Sequence, residues 1–214
     1  MTVLSDKTIR EYCEGTMVGA HGPMIEPFHG SSVKEDSHGK RIASYGLSSG
    51  GYDLRAGTEF KVFKPLPKFT LWQRFKAWVT GKELEHPVLD YKNISADLFD
   101  TVYGDKVVVP PGGFLLTHSK EYVRMPRNVI AMCIGKSTIA RAGWNCLCTP
   151  IEPGWEGHIT FEFQNTTNRP NVFYAHEGVL QLVFHDLDQD CETSYADRGG
   201  KYMKQADKVI LPRV

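Results

Sequence analysis

The second half of the chain is a series of short strand-like segments, and this series constrains the fold more than any other feature. Glycine, proline and asparagine separate the segments, and the pattern predicts strands over residues 107–109, 114–117, 129–134, 146–151, 158–164, 171–174 and 179–184. Short strands at regular spacing indicate a β-sandwich or a β-barrel. No long helical pattern lies between them, which argues against a doubly wound α/β sheet.

The first half of the chain predicts fewer elements. Ser5 is a suitable N-cap for a helix over residues 6–14. Residues 19–51 are rich in Gly, Ser and His, and we expect them to form loops. Residues 52–63 are predicted to be a strand with a turn inside it.

Residues 64–92 are predicted to be an insertion that contains a helix. Apolar residues recur in it at helical spacing, namely Leu71, Trp72, Phe75, Trp78 and Val79. Basic residues lie on or near the other side, namely Lys68, Arg74, Lys76 and Lys82. A basic amphipathic helix can bind a membrane surface. Because the apolar stripe is short, we favour packing on its own domain or on a partner subunit.

Composition narrows the classes of function. Acidic and basic residues balance at 25 each, so no global field favours nucleic acid. No apolar run approaches the length of about 20 residues that crosses a membrane, and we expect no membrane partner. The N-terminus lacks a basic segment followed by an apolar one, which predicts a cytoplasmic protein. The length of 214 residues fits a single domain with the insertion.

The five cysteines are odd in number, and their spacing fits no disulfide framework. We expect reduced, mostly buried thiols. Cys146 and Cys148, with one residue between them, are predicted to share a packed face rather than to hold a metal.

The segment 158–164 alternates apolar and polar residues with period two. It predicts one face turned to the core, with Ile159, Phe161 and Phe163. The other face carries polar side chains, namely His158, Thr160, Glu162 and Gln164. A carboxylate and a hydroxyl on one face, near a phosphate-binding turn, suggest a nucleotide site with its own base.

That turn is the segment Gly-Lys-Ser-Thr-Ile-Ala-Arg at residues 135–141. It is not a Walker A loop, because position 130 is Ile130 and not glycine. Free backbone N–H groups at a helix start and the charge of Lys136 can still bind an anion. Ser137 and Arg141 are four apart and share a helix face. A capped helix with a surface arginine is an equally good interpretation of the segment alone.

Three further features bear on the chemistry. No histidine has Glu two places on and no two cysteines are three apart, which excludes the zinc-deaminase signature. Glu152, in a rigid turn at residues 149–157, is either a ligand-facing acid or a solvated one. The basic, glycine-hinged tail from residue 194 is either a lid over a phosphorylated ligand or a frayed end.

Taken together, these segments resemble the dCTP deaminase family of the trimeric dUTPase-like superfamily. The resemblance is close over about residues 125–212, in Gly-Lys-Ser-Thr-Ile-Ala-Arg, Thr-Pro-Ile-Glu-Pro-Gly-Trp-Glu-Gly-His, Thr-Phe-Glu-Phe-Gln-Asn-Thr-Thr and Gly-Gly-Lys-Tyr-Met-Lys-Gln. Earlier matches lie at residues 24–28 and 44–55. The insertion at 64–92 is outside the pattern.

The resemblance implies a single mainly β domain over residues 1–214, a dUTPase-like distorted barrel or jelly roll with a few short helices. It implies hydrolysis of dCTP to dUTP and ammonia without zinc, with Glu162 as general base and later proton donor. Ser137 and Arg141 would orient the water and hold the glutamate, and a nearby guanidinium would keep it ionised. The substrate contacts carried over are Lys136, Ser137, Thr138, Ile139, Ala140, Arg141, Glu152, Thr160, Phe161, Glu162, Gln181, Tyr195, Lys201 and Gln205.

The resemblance also implies a homotrimer with sites at subunit interfaces, and dCTP bound as its Mg²⁺ complex without a protein-only metal site. The tail at 194–214 would be the lid. Other members use dTTP as a feedback inhibitor, which the sequence does not decide here. Many superfamily members have Asp where this chain has Glu152, so dUTP hydrolysis stays open. The alternatives are a bifunctional dCTP deaminase and dUTP diphosphatase, or a non-catalytic nucleotide-binding trimer.

Overall fold

The computed structural model describes residues 2–19, 21–86 and 88–213, and it is built mainly from antiparallel strands. In chain order the strands are β1 (Thr2–Val3), β2 (Ile25–Glu26), β3 (Val33–Glu35), β4 (Arg41–Ser48), β5 (Gly51–Arg55), β6 (Glu59–Phe63), β7 (Phe99–Tyr103), β8 (Lys106–Val109), β9 (Phe114–Arg124), β10 (Val129–Gly135), β11 (Trp144–Leu147), β12 (Glu156–Asn165), β13 (Asn171–Tyr174) and β14 (Gly178–Asp186). The helices are α1 (Asp6–Glu14), α2 (Leu71–Thr80) and α3 (Ser137–Arg141). Two 3₁₀ turns cover Tyr91–Asn93 and Ala96–Leu98.

Two sheets enclose the core. One has the order β1-β14-β5-β4-β3 with β10 also paired to β14, and the other has the order β11-β12-β9-β6-β7 with β2 also paired to β9. Strands β8 and β13 form a separate pair. Side chains from both sheets fill the space between them, including Tyr52, Phe60, Phe161 and Phe184, none of which is more than 1% exposed. The expected mainly β architecture with few helices is confirmed.

Helix α1 forms where the sequence predicts it. The hydroxyl of Ser5 accepts a hydrogen bond from the backbone N–H of Thr8, which satisfies one free donor of the first turn. Ile9 and Cys13 are its buried residues. The strand before the helix, β1, pairs with β14. The N-terminal segment is therefore held against the sheet that contains β14.

The expectation of loops throughout residues 19–51 is wrong. Strands β2, β3 and β4 lie within this segment, and β4 pairs with β5 through Leu47 and Tyr52. Gly46 shows why the glycines of residues 19–51 led to a wrong prediction of loops. It has a φ of +100°, and a Cβ there would lie 2.4 Å from the carbonyl oxygen of Ser31. This glycine permits a close backbone approach within a strand instead of marking a loop.

The insertion contains helix α2, as the aromatic spacing predicts. Thr70 and Gln73 form a capping box at its start, and Gly81 ends it in the left-handed conformation. None of its residues is buried, and Trp72 and Trp78 are 68% and 80% exposed. The interpretation that the stripe packs on its own domain is therefore wrong.

The five cysteines, all among the described residues, are free thiols. Only Cys13 of the five is fully buried, and the others are partly buried. Cys146 and Cys148 both pack against the core, with their Sγ atoms 2.8 Å apart, so the expected shared face is confirmed. Strand β11 ends at Leu147, before the predicted end at residue 151, although Ile151 still makes an isolated bridge to Ala131.

Candidate active site

Strand β12 presents Glu162 on the face opposite to the core. Phe161 and Phe163, its neighbours in sequence, are 1% and 0% exposed, while Glu162 itself is partly buried. The strand is held on both sides, since Glu162 is the Cα partner of Leu147 on β11 and of Leu116 on β9. Pairing on two sides fixes the backbone from which the Glu162 side chain projects. Phe161 was also predicted to contact the substrate. Its side chain belongs to the core, so only its backbone can face a ligand.

The alternation along β12 is interrupted before Thr160. The register with β9 shifts between His158 and Thr160, which is the mark of a β-bulge. As a result Ile159, predicted to face the core with Phe161 and Phe163, is partly buried and lines the same cavity as Thr160 and Glu162. The bulge thus places an apolar side chain in the wall of the cavity, next to the polar side chains of β12.

A cavity of about 880 Å³ opens beside Glu162. Five of the residues predicted to bind substrate line it, namely Glu152, Thr160, Glu162, Tyr195 and Gln205. The rest of its wall is largely apolar and aromatic and includes Phe63, Ile94, Phe99, Phe114, Leu116, Trp155 and Tyr202. A mostly apolar cleft with a few convergent polar groups is the usual form of a small-molecule site.

Burial raises the pKa of Glu162 to about 7, and a backbone hydrogen bond opposes this shift. No positively charged group in the described part of the chain contributes to this pKa shift. A carboxylic acid with a pKa near neutrality can both accept and donate a proton at the pH of the cell. The environment of Glu162 therefore suits a group that must act first as a base and then as an acid.

The Gly135–Arg141 segment lies apart from this cavity. Gly135 ends β10, and Ser137 to Arg141 form α3, with Lys136 at its N-cap position and no side-chain cap. The ammonium of Lys136 forms an ion pair with the buried carboxylate of Asp53. None of the residues 136–141 lines the cavity beside Glu162. The predicted phosphate-binding segment and the predicted base are thus in different places on one subunit.

Gln181 belongs to the same second region. It is the Cα partner of Ile134 and of Asp53, and its amide donates a hydrogen bond to the hydroxyl of Ser48 at 3.3 Å. Asp53 was not among the predicted site residues. Its Oδ1 atom is buried and has no hydrogen-bond partner among the residues that the structure describes. Asp53 lies in the family match at residues 44–55, which is the signal that could have found it.

The contact between Arg141 and Glu162, which the resemblance places in a site at a subunit interface, stays a prediction. No ion pair joins Arg141 to any described residue, and the pKa of Glu162 responds to burial and to its own backbone alone. Helix α3 packs instead against β11.

The C-terminal tail covers one side of the cavity. Gln205 is 8% exposed, and its side-chain oxygen accepts a hydrogen bond from the Thr160 hydroxyl at 3.0 Å. Tyr195 donates its backbone N–H to Pro153 at 2.9 Å, and the indole of Trp155 donates to the carbonyl of Tyr202 at 2.9 Å. The tail is therefore docked by many contacts and is not frayed over this stretch.

Two predicted contacts of the tail region have protein partners. The carboxylate of Glu152 forms an ion pair with the guanidinium of Arg198 at the cavity rim. The ammonium of Lys201 donates to the carbonyl oxygen of Arg213 at 3.4 Å and lies outside the cavity. Tyr202 and Trp155 line the cavity although they were not among the predicted contacts. Both lie in the motifs at residues 149–157 and 199–205, which are the sequence signals that could have found them.

The fold and the cleft define a mainly β protein of antiparallel sheets with two acidic residues, Glu152 and Glu162, in a largely apolar pocket. A crystal structure titled 2'-deoxycytidine 5'-triphosphate deaminase from Agrobacterium tumefaciens has a similar fold, with a TM-score of 0.53 at 16% identity. The match covers 85% of this chain and 45% of that one. None of the described helices has the length and apolar composition that a membrane crossing requires.

Sequence comparison identifies the family. The family model "dCTP deaminase-like" matches residues 3–187. A dCTP deaminase of Halorhodospira halophila is 46% identical over 213 residues, and one of Albidiferax ferrireducens is 45% identical, each with 100% of both chains covered. The chain belongs to the dCTP deaminase-like family.

Proposed function

We propose that the protein hydrolyses dCTP to dUTP and ammonia without zinc. The observation that carries the proposal is the carboxyl group of Glu162, whose burial beside a largely apolar cavity raises its pKa to about 7. The names of full-length relatives at 45–46% identity support the same substrate. The product dUTP would supply thymidylate synthesis, and we propose the cytoplasm as its location.

The proposed reaction uses Glu162 twice. Its carboxylate accepts a proton from water, and the oxygen of that water adds to C4 of the cytosine ring. N3 of the ring takes up the electron pair displaced by this addition and then the proton of the new C4 hydroxyl. The carboxylic acid protonates the amino nitrogen, the C4–N bond breaks, and ammonia leaves as the C4 carbonyl of uracil forms. A positioned acid–base group accelerates such a step by about 10²–10⁴-fold, so positioning and electrostatic stabilisation supply the rest.

We propose that Ser137 and Arg141 reach the reacting water from a neighbouring subunit of a homotrimer. The separation of α3 from the cavity within one chain supports this arrangement, because no single chain then holds a complete site. Lys136 to Arg141 and Gln181 would surround the phosphates and the water, with dCTP bound as its Mg²⁺ complex. A neighbouring guanidinium would also lower the pKa of Glu162 and favour its ionised form.

Thr160, Tyr195 and Gln205 are proposed to contact the nucleotide in the cavity, with the tail as the lid that closes it. We also propose that dTTP, as the feedback inhibitor, would occupy the same cavity. Nucleic acid and membrane are not expected partners of this activity.

Glu152 supports one alternative, a bifunctional enzyme that also cleaves dUTP to dUMP and diphosphate. Its carboxylate lines the cavity and could activate a water, but it is paired with Arg198. We therefore favour deamination alone. Incubation with dCTP and Mg²⁺ tests the proposal: dUTP with ammonia supports it, and dUMP with diphosphate supports the bifunctional alternative. An unchanged dCTP pool would indicate a non-catalytic nucleotide-binding trimer.

A further inference from the structure

Two histidines and one aspartate converge outside the cavity described above. His118 lies on β9, His158 on the neighbouring β12 and Asp207 in the C-terminal tail. Their ligand-type atoms all lie within 4.8 Å of one another, and this is the one such group found among residues 2–19, 21–86 and 88–213. None of the three lines the cavity beside Glu162. The group is therefore a separate feature of the fold.

The distances within the group match those between the ligands of a small metal ion. Oδ1 of Asp207 lies 3.1 Å from Nδ1 of His118 and 3.8 Å from Nδ1 of His158. The carbonyl oxygen of Ser119 lies 3.1 Å and 3.0 Å from the same two nitrogens. Around a tetrahedral zinc ion with bonds of about 2.1 Å, the ligand atoms are about 3.4 Å apart.

The two imidazoles are held in place before any ion arrives. His118 is 3% exposed, and a Cβ on Gly57 would lie 2.2 Å from its Cε1, so a glycine leaves the room this ring needs. Tyr122 contacts the ring of His158 edge-on, with centroids 5.3 Å apart. The side chain of Asp207 is 69% exposed, which leaves a path for an ion from solvent.

We propose that His118, His158 and Asp207 bind one divalent transition-metal ion, with Zn²⁺ as the best fit, and that the Ser119 carbonyl is its fourth ligand. Two imidazoles and a carboxylate are ligands that zinc accepts, and four ligands complete a structural site. This proposal goes beyond the proposed deamination and does not depend on it. It departs from the sequence-based expectation of no protein-only metal site, because residues 118, 158 and 207 are too far apart in sequence to form a motif.

The ion would hold the C-terminal segment on the sheet. Asp207 lies between Gln205, which accepts the hydrogen bond of Thr160, and Ile210, which lines the cavity. A bond from Asp207 to an ion shared with β9 and β12 would therefore restrain both flanking residues. The role is structural, and the ion takes no part in the chemistry at Glu162.

Metal binding by the full chain, without a polyhistidine tag and after treatment with a chelator, tests the proposal. We expect Zn²⁺ titration by calorimetry to show one ion per chain, and Co²⁺ to show the visible absorption of a tetrahedral site. Asp207→Asn and His158→Asn should each weaken Zn²⁺ binding by at least about 10-fold. Asp105→Asn is the matched control, because Asp105 approaches a different histidine, His176, at 3.7 Å on the surface. Circular dichroism establishes that each variant is folded.

A second measurement follows the tail itself. Trypsin cleaves after Lys204 and Lys208, on either side of Asp207, and Zn²⁺ should slow this cleavage in the wild type but not in Asp207→Asn. Absence of Zn²⁺ and Co²⁺ binding, or equal binding by the wild type and both ligand variants, would overturn the proposal. The hydrogen bonds of the two histidines to the Ser119 carbonyl and their close contacts with Asp207 would then account for the cluster alone.

Discussion

The hydroxyl of Thr160 donates a hydrogen bond to the side-chain oxygen of Gln205 at 3.0 Å and accepts another from the backbone N–H of Ile210 at 3.2 Å. One hydroxyl on the strand of Glu162 thus fastens the tail at two points. Both partners line the cavity, so the position of the tail and the shape of the site depend on the same side chain.

Thr160→Val should loosen the tail, because valine keeps the shape of threonine but removes both hydrogen bonds. We expect the free energy of unfolding to fall by about 1 kcal/mol for the lost hydroxyl donor and by somewhat more for the backbone N–H of Ile210 that is left unpaired. Hydrogen exchange of residues 205–212 should become faster. Thr101→Val is the control, since that hydroxyl only accepts an exposed contact from Lys61. Equal exchange in both variants would show that Thr160 does not hold the tail.

Glu121 and Arg55 form a buried ion pair that links β9 to β5. Nε of Arg55 donates to Oε1 of Glu121 at 2.6 Å, and the side chains are 7% and 0% exposed for Arg55 and Glu121. Glu121→Gln should lower the free energy of unfolding by about 3–5 kcal/mol, because it leaves a buried charge without its counter-ion. Urea unfolding measures this.

The matched control is Glu14→Gln, which removes an exposed pair with Arg10. It should change the free energy of unfolding by less than about 1 kcal/mol. Comparable losses in the two variants would contradict the role assigned to burial.

Helix α2 should contribute little to the stability of the chain. Trp72→Ser and Trp78→Ser each remove a large side chain that is mostly exposed, so we expect melting temperatures close to that of the wild type. Phe163→Ala, at a residue that is 0% exposed, should instead lower the free energy of unfolding by about 3–5 kcal/mol. A large loss from either tryptophan variant would show that the stripe is covered in the assembled protein.

The pH dependence of deamination should show whether the guanidinium of Arg141 lies beside Glu162. Burial alone raises its pKa to about 7, and a guanidinium beside it would lower that value. Since the base must be ionised, activity falls as the pH drops through this pKa. Arg141→Gln should therefore move the acidic limb of the rate profile upward, towards pH 7. Arg141→Lys should keep the limb closer to its wild-type position.

Arg41→Gln is the control for this measurement, because Arg41 is exposed on β4. Its rate profile should match that of the wild type. If the residual activity of Arg141→Gln has the wild-type pH profile, the proposed charge interaction with Glu162 is absent.

The sequence predicts the elements whose signals are local. Ser5 and the spacing in α1, the aromatic spacing in α2 and the alternation of Phe161 and Phe163 each depend on neighbours in sequence, and the structure agrees with them. Strand β4 was missed because its glycine serves a contact with a distant backbone. The bulge before Thr160 also depends on pairing with β9, which periodicity does not encode.

The candidate site divides in the same way. Thr160 and Glu162 share a face because they are two apart on a strand, and this could be predicted. The position of α3 away from the cavity could not be predicted from the sequence. It depends on the placement of β10 and β12 in different sheets. The cluster of His118, His158 and Asp207 likewise depends on the pairing of β9 with β12 and on the path of the tail.

The most direct test of the central claim is ammonia release from dCTP and Mg²⁺ by Glu162→Gln, with Glu156→Gln as a matched change on the same strand. We expect Glu162→Gln to lose at least about 10²–10⁴-fold in rate while it still binds dCTP, because the amide cannot accept the proton from water. Glu156→Gln should retain near-normal activity. Ammonia release by Glu162→Gln at the wild-type rate would contradict the assignment of Glu162 as the base.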